Sequence, residues 1–379
     1  MTVHLWRPDR NGDAPQADER SEPVRFAVVG LGYWGPNLVR NLHDLPGAEV
    51  VCVCDQRPDA LERLSNRYPG ARLTTDFSYV LADSGVEAIA IATPVSTHYS
   101  LAMAALKSGK HVFVEKPLAA SSADAAALID EARSSGLVLM PGHTFLYSPP
   151  VNKIRHLIDS GEVGEIYFIS ASRVNLGLHQ PDVSVTWDLG PHDFSILQYW
   201  LGESPTHVTA ISRGCIFPDT PDVAFINLEF ASETIAHIEL SWLAPSKLRR
   251  TAIVGSKKMV VYDDTSSESV RVYNSGAVPR DPETFGEYQL MYRTGDILSP
   301  QLDAVEPLLL EMQDFCEAIR KGTAPRASAE LGLEVVRMIE AVDLSLARGG
   351  IRVAVAEVGE DAELDRVTLH AASTSAESA

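Results

Sequence analysis

The sequence predicts an α/β protein of two domains: a doubly wound parallel sheet, then an α+β unit on an open-faced, mostly antiparallel sheet. Three features predict it. From Val24 to Gly142, short apolar runs alternate with helix-period segments, the βαβα order of a parallel sheet. A glycine triplet, Gly30, Gly32 and Gly35, stands where the first run meets the first helix. Beyond Ser148-Pro149-Pro150, strand-like runs follow one another with short turns, the order of an antiparallel sheet. At 379 residues the chain also exceeds what one core normally organises.

Residues 1–22 are polar and without periodicity, and are expected to be a disordered arm. The first domain, 23–148, then reads VRFAVVG as a buried strand, PNLVRNLHDL as a helix, AEVVCVCD as a strand and PDALERLSNRY as a helix. VEAIAIATP, HYSLAMAALKSG, HVFVE, the Ser121-started SADAAALIDEARSSG and LVLMPGH continue the alternation to a fifth strand. The second domain, 149–350, opens with one helix, VNKIRHLIDSG. EIYFISASRVN, THVTAISRG, VAFINLEF, TIAHIELSWL, RRTAIVGS, KMVVYDD and VRVYN follow as strands, with HDFSILQYWLG as the helical interruption. Two helices, VEPLLLEMQDFCEAIRKG and AELGLEVVRMIEAVDLSLARGG, close that domain. Residues 351–379 are Ala-, Ser- and acid-rich and are expected to be a flexible tail, although Ile351, Val353 and Val355 alternate as in a short strand. No internal repeat is visible.

The formal net charge is −19. Residues 1–22 contribute −2 and residues 351–379 contribute −4, so the body carries −13. A body this acidic argues against nucleic acid or an anionic membrane as partner. A local pocket can still be positive, so an anionic small molecule remains among the candidates. No apolar run approaches the roughly 18 residues of a membrane span, and the N-terminal stretch lacks the apolar core of a signal peptide. Four cysteines (Cys52, Cys54, Cys215, Cys316) without C-x-x-C spacing fit a reducing cytoplasm, with Cys52 and Cys54 as small buried hydrophobes on one strand face. No metal is expected.

Gly30-x-Gly32-x-x-Gly35, directly after a strand and opening a helix, is the pattern that cradles a pyrophosphate. The first glycine allows the turn, the second lets backbone approach phosphate, and the third lets helix and strand pack closely. Tyr33 and Trp34, inside the triplet, are placed in the same site. Asp55 ends the second strand 20 residues after Gly35, where a carboxylate can accept both hydrogen bonds of an adenosine ribose and repel a 2′-phosphate. NAD is therefore expected over NADP, with Arg57 as the group able to reverse that preference. Thr93 and Pro94, ending the third strand, would flank the dinucleotide. His98 at the next helix start either contacts the cofactor or faces solvent.

HVFVEKP (111–117) reads as a buried strand ending on a Glu115-Lys116-Pro117 turn. Pro117 disfavours helix for Lys116, so the lysine is expected extended at the strand's carboxyl end, where open α/β sheets bind ligands. In Trp187-Asp188-Leu189-Gly190-Pro191-His192, Asp188 and His192 are four apart and on a helix project from one face. A histidine suits proton exchange near neutrality, and an adjacent aspartate can orient it or the substrate. Because proline fits the first helical turn, Asp188 is expected at the helix cap.

Gly30–Gly35, Glu115-Lys116-Pro117 and Asp188-x-x-x-His192, in this order on two domains, resemble the Gfo/Idh/MocA oxidoreductase family over roughly residues 24–348. The resemblance implies a Rossmann domain followed by an open-faced mixed sheet that builds homodimers or homotetramers. It implies NAD as cofactor, with Glu115 and Lys116 near the nicotinamide, Lys116 also near a substrate hydroxyl, and Asp188 and His192 in substrate binding and acid/base work. Pro191 within the pair occurs in some branches of the family, which leaves the detailed role of Asp188 open. GHTFLYSPPVNKI, SRVNLG and WDLGPHD are similar to the branch that oxidises the C3 hydroxyl of sugar nucleotides. On that reading His143, Tyr147, Lys153, Arg173 and Asn175 surround the substrate. Tyr147 is equally well a packing residue, and Lys153 and Arg173 either meet a diphosphate or carboxylate or are surface charges. Trp187 and Trp242 are read as core or interface. The alternatives are an inositol or hexose-phosphate dehydrogenase or ketoreductase, and an NAD-dependent glycoside hydrolase of the same family. A non-catalytic dinucleotide sensor would need neither Lys116 nor His192.

Overall fold

The computed structural model describes residues 22–177, 183–279 and 290–358. The expected N-terminal arm, up to residue 21, and the expected tail from residue 359 lie outside the described residues.

The first sheet has six parallel strands: β1 (Val24–Val29), β2 (Ala48–Cys54), β3 (Arg72–Thr74), β4 (Ala88–Ile91), β5 (His111–Glu115) and β6 (Leu139–Gly142). Helices α1 (Gly35–Asp44), α2 (Pro58–Ser65), α3 (Phe77–Ala82), α4 (His98–Lys107) and α5 (Ser122–Ser134) alternate with them. Side chains alternate between two cores. Val24, Phe26 and Val28 of β1 enter one, and Ala27 and Val29 enter the other. Cys52 and Cys54 share the second core and are free thiols. The strand order is β3-β2-β1-β4-β5-β6. Successive crossovers therefore diverge between β1 and β4, and a crevice opens at their carboxyl ends. The sequence reading missed β3, whose three residues include one apolar side chain.

The second domain contains α6 (Pro149–Asp159), β7 (Ile166–Leu176), α7 (Val185–Leu201), β8 (His207–Arg213), β9 (Val223–Glu229), β10 (Ile235–Ser241) and β11 (Leu243–Gly255). β12 (Met259–Asp263), β13 (Val270–Tyr273), a β14–β15 hairpin (Gly276–Pro279, Leu290–Arg293) and β16 (Ile297–Leu298) follow. Then come α8 (Pro307–Lys321), α9 (Ala329–Ala347) and β17 (Val353–Ala354). Nine strands form one sheet, ordered β16-β13-β12-β11-β7-β10-β9-β8-β17, with β7 and β10 parallel and every other described pair antiparallel. One face is covered: Phe194, Leu197 and Trp200 of α7 and Val335, Met338 and Ile339 of α9 pack on Ile169, Ile226 and Ile238. The other face exposes Phe168, Ile211, Phe225 and Ile235.

Two boundaries differ from the sequence reading. The helix assigned to the second domain, α8, packs on the first: Leu308, Met312, Phe315 and Cys316 join Phe26, Leu38 and Phe113 in one core. An amphipathic stripe declares that a helix is buried, but not against which sheet. The chain after residue 350 is also not simply tail, because β17 pairs with β8, and Val353 and Val355 are buried. Between them, α9 touches α5 and β6 of the first domain and α7 and β8 of the second. Among the described residues no helix is long and apolar enough to cross a membrane.

The Phe315 ring lies 5.9 Å from Phe26 and 6.0 Å from Phe113 and is fully buried. Phe315→Ala should therefore lower stability by about 3–5 kcal/mol in urea unfolding. A loss below about 1 kcal/mol would mean that α8 only rests on this core.

Candidate active site

At the crevice, the first glycine turn is held between β2 and β4. Gly30 N donates to Cys54 O at 2.8 Å, and Ala92 N to Val29 O at 2.8 Å. Gly30 has φ +93°, and a Cβ there would meet Ala92 O at 2.5 Å. A Cβ on Gly35 would collide with Gly30 O, whereas Gly32 faces open space apart from Ala92 O at 4.0 Å. The N-cap of α1 is Trp34, whose side chain caps nothing; Pro36 has no N–H and Asn37 N donates to Trp34 O, so the Gly35 amide is the first-turn donor left for an anion. A pyrophosphate fits this cradle. Tyr33 and Trp34 stand exposed beside it in an edge-on pair, 5.4 Å between rings.

The Asp55 carboxylate is nearly buried. Oδ2 accepts Leu31 N at 2.6 Å, and Oδ1 accepts Arg57 N at 2.8 Å and Nε at 3.1 Å. Burial raises its pKa, but the N–H donors of Arg57 and Leu31 outweigh burial and hold it below the ordinary value. Arg57 is thus a partner of Asp55, and its Nη2 also reaches Leu31 O at 3.1 Å. Thr93 lies against Gly30, and its hydroxyl accepts from Thr97 Oγ1 at 2.8 Å; Pro94 is exposed at the same edge.

Two side chains assigned to the cofactor turn inward. His98 neither contacts solvent nor faces the crevice. It is 1 % exposed, with Nδ1 2.8 Å from Pro117 O and Nε2 2.9 Å from Thr93 O, so it braces the two loops from beneath. The Glu115 carboxyl is buried as well, close enough to the Gly142 backbone that a Cβ there would meet Oε2 at 3.2 Å. Burial pushes its pKa up to about 7 despite Lys116.

Lys116, at the end of β5, reaches across to α7. Its Nζ donates to Asp188 O at 2.7 Å and to Asp188 Oδ1 at 3.2 Å. The other carboxylate oxygen, Oδ2, accepts from Trp242 Nε1 at 3.2 Å. Asp188 is not the helix cap. Ser184 is, and Pro191 sits inside α7 as its seventh residue. Proline gives no N–H to the carbonyl of Trp187 four residues back, and its ring crowds that turn. The lysine ammonium donates to the next carbonyl along.

Asp188 therefore serves Lys116 and does not orient His192. His192 is half-buried, and among the described residues its enclosed Nδ1 has no hydrogen-bond partner. Its ring meets Phe145 edge-on at 5.0 Å. Burial first, then the charges of Lys116, Arg173 and Arg249, hold its pKa well below the ordinary value, so the imidazole is neutral. A neutral imidazole beside a fixed ammonium can take a proton from a hydroxyl whose oxygen the ammonium stabilises.

Of the proposed substrate residues, His143 lies behind Lys116. It is 1 % exposed, neither ring nitrogen has a partner among the described residues, and burial and Lys116 lower its pKa to about 3. Tyr147 is packing: its hydroxyl donates to Asp314 Oδ2 at 2.6 Å and accepts Ala327 N at 3.1 Å, under α8. Arg173 is neither a surface charge nor free for a diphosphate. It is buried, with Nε and Nη2 on Asp193 at 2.6 and 3.2 Å, and lies over the Phe145 ring. Lys153 is half-buried on α6 near Glu162, whose pKa it helps to lower. Asn175 lies beside Gly177 and Trp242, with Oδ1 enclosed. Trp187 donates to Asp343 at 2.8 Å. Sequence reasoning missed Asp193, Arg249 and the Trp242–Asp188 bond. One signal was available, because Arg173 shares the inward phase of Ile169 and Ala171, and a charge there requires a buried partner.

Residues 24–143 match the family model for the oxidoreductase family with NAD-binding Rossmann fold, and residues 151–261 match the GFO/IDH/MocA C-terminal domain. The chain belongs to the Gfo/Idh/MocA oxidoreductase family. It is 27% identical over 329 residues to scyllo-inositol 2-dehydrogenase (NAD(+)) of Bacillus subtilis (strain 168), covering 82% of this chain and 92% of that one. Its structure resembles GenD2 from gentamicin A biosynthesis in complex with NAD, with TM-score 0.77, 25% identity, and 90% of this chain and 99% of that one covered. An oxidoreductase from Magnetospirillum magnetotacticum MS-1 shares 31% identity at TM-score 0.71, covering 84% and 99%. The cofactor of this Gfo/Idh/MocA enzyme is NAD, which the glycine cradle and Asp55 fit.

Asp55→Ala should narrow the preference for NAD over NADP by lowering NAD affinity; titrations in which the variant keeps the full preference would shift the discrimination elsewhere. His143 titrates near 6.5 when unfolded and about 3 when folded, so between those values the unfolded chain binds the extra proton. Its contribution to stability is present above pH 6.5 and is lost as pH falls toward 3. His143→Gln should flatten the acid limb of a stability–pH curve by about 1.4 kcal/mol per pH unit in that window. An unchanged slope would show that His143 accepts a proton in place.

Proposed function

We propose that the enzyme transfers hydride between NAD and a ring hydroxyl of a sugar or polyol, and that the substrate is a nucleotide-linked sugar reacting at C3. The observation that carries the reaction type is the Lys116 ammonium fixed by Asp188 beside the neutral His192. Relatives named scyllo-inositol and myo-inositol 2-dehydrogenase support a hydroxyl on a saturated ring. The nucleotide-linked reading rests on GHTFLYSPPVNKI, SRVNLG and WDLGPHD. The inositol relatives favour a free polyol as the second reading.

Bound NAD supplies the hydride acceptor. Two donations from Lys116 go to Asp188, which leaves its third N–H for the substrate oxygen. That donor stabilises the charge that develops as the hydroxyl ionises, and His192 takes the proton. Asp188 fixes the donor. A homodimer or homotetramer through the open face of the nine-stranded sheet, with its exposed Phe168, Phe225 and Ile235, belongs to the same proposal. A cytoplasmic setting is supported by four free cysteines.

Screening UDP-, GDP- and TDP-sugars, inositols and hexose phosphates for absorbance change at the nicotinamide band tests the substrate. Turnover of inositols but not of sugar nucleotides would sink the nucleotide reading, and release of free sugar from a glycoside without net NADH would sink the dehydrogenase reading. Lys116→Ala should keep NAD binding while turnover falls about 100- to 1,000-fold. Turnover within a fewfold of the parent enzyme would remove the lysine from the chemistry.

A further inference from the structure

Trp242 occupies the single-residue joint between β10 and β11. Its backbone is pinned on both sides: its N–H donates to Asp222 O at 3.0 Å, and its carbonyl accepts Gly177 N at 2.9 Å. The side chain is 1 % exposed, so the indole has no freedom to swing. Its N–H meets Asp188 Oδ2 at 3.2 Å, while the opposite oxygen, Oδ1, takes Lys116 Nζ at 3.2 Å. Asp188 itself is partly exposed on the first turn of α7, three residues ahead of Pro191. A carboxylate in that place has rotamers that turn it to solvent, and a rigid donor on its far side selects the one that faces the lysine.

We propose that Trp242 is a positioning residue: by holding one oxygen of Asp188 it keeps the other on Lys116 and so fixes where the remaining lysine N–H points. This rests on the proposed function only for its kinetic consequence. The geometric consequence is independent of any substrate. If the indole holds Asp188 in place, losing its N–H loosens the lysine ammonium and makes it a better target for an amine reagent.

The experiment compares the parent protein, Trp242→Phe, Asp188→Ala and the double variant by reductive methylation with formaldehyde and cyanoborohydride, reading Lys116 against the other lysines by mass spectrometry. Trp242→Phe and Asp188→Ala should each speed methylation of Lys116 several-fold, and the double variant should match Asp188→Ala alone. With a turned-over substrate, Trp242→Phe should lower kcat about tenfold, the worth of one charge-assisted hydrogen bond, with KM and NAD affinity within about twofold. In the Asp188→Ala background the same change should have no further effect. The isosteric benzothienyl analogue of tryptophan at 242 removes the N–H alone, and serves if the Phe variant fails to fold. Unchanged Lys116 methylation in either replacement, or an equal drop in kcat with and without Asp188, overturns the proposal. An enzyme that turns over no hydroxyl substrate while the methylation pattern holds would instead refute the dehydrogenase reading and leave Trp242 as the holder of Asp188.

Discussion

The site depends on one contact across two domains, the Lys116 ammonium on Asp188. The lysine comes from the end of a parallel strand in the nucleotide-binding domain, and the aspartate from the first turns of a helix in the second. Neither domain alone supplies a fixed donor. A free lysine side chain would lose roughly 2 kcal/mol of rotamer entropy on being ordered at the moment of reaction. Here the ordering is done in advance by a carbonyl and a carboxylate, and the carboxylate is anchored by an indole. Pro191 stands in the same turn, where it withholds an N–H from the Trp187 carbonyl beside that of Asp188.

Around that contact, charges are matched locally although the chain as a whole is strongly acidic. Lys116 pairs with Asp188, Arg173 with Asp193, and Arg249 with Asp264. Arg173 and Arg249 lie directly opposite each other across β7 and β11, where like charges repel unless each has its own anion. Their shared effect on His192 is to disfavour its protonated form. Behind the lysine the logic inverts. Glu115 and Glu311 are buried carboxyls whose pKa values burial raises, and His143 is held neutral. Thr144 donates to Glu311 at 2.6 Å. The floor of the site is thus polar, with burial disfavouring the charged form of each of these groups.

Much of this was legible in the sequence, for identifiable reasons. Strands with near-continuous apolar runs, such as Val24–Val29, declare themselves because both faces are buried. Arg72–Thr74 does not, because an edge strand needs backbone pairing more than apolar side chains. The glycine triplet, Asp55, Lys116, Asp188 and His192 were recognisable because the chemistry restricts residue type at short spacing. Their partners were not. Trp242 is 54 residues from Asp188, and no local pattern announces that an indole N–H will meet a carboxylate. The rule that places proline in the first helical turn gave the wrong cap, since an ammonium from another domain occupies that turn. His98 was misread and Tyr147 left undecided because a polar residue at a crevice edge looks the same in sequence whether its polar atoms face the ligand or the protein behind it.

The placement of α8 has a consequence for how this protein is made and inherited. The family's two sequence modules, 24–143 and 151–261, divide cleanly. The cores do not, because the helix that shields Phe26, Leu38 and Phe113 is encoded after the whole nine-stranded sheet except its last edge strand. During synthesis the nucleotide-binding half leaves the ribosome with an apolar flank uncovered, and it remains so until more than a hundred further residues have emerged. The sequence modules are therefore not the units that fold. A chimera spliced between the modules must carry α8 with its own first sheet, as a separate insertion, or the new nucleotide site will be born without its cover.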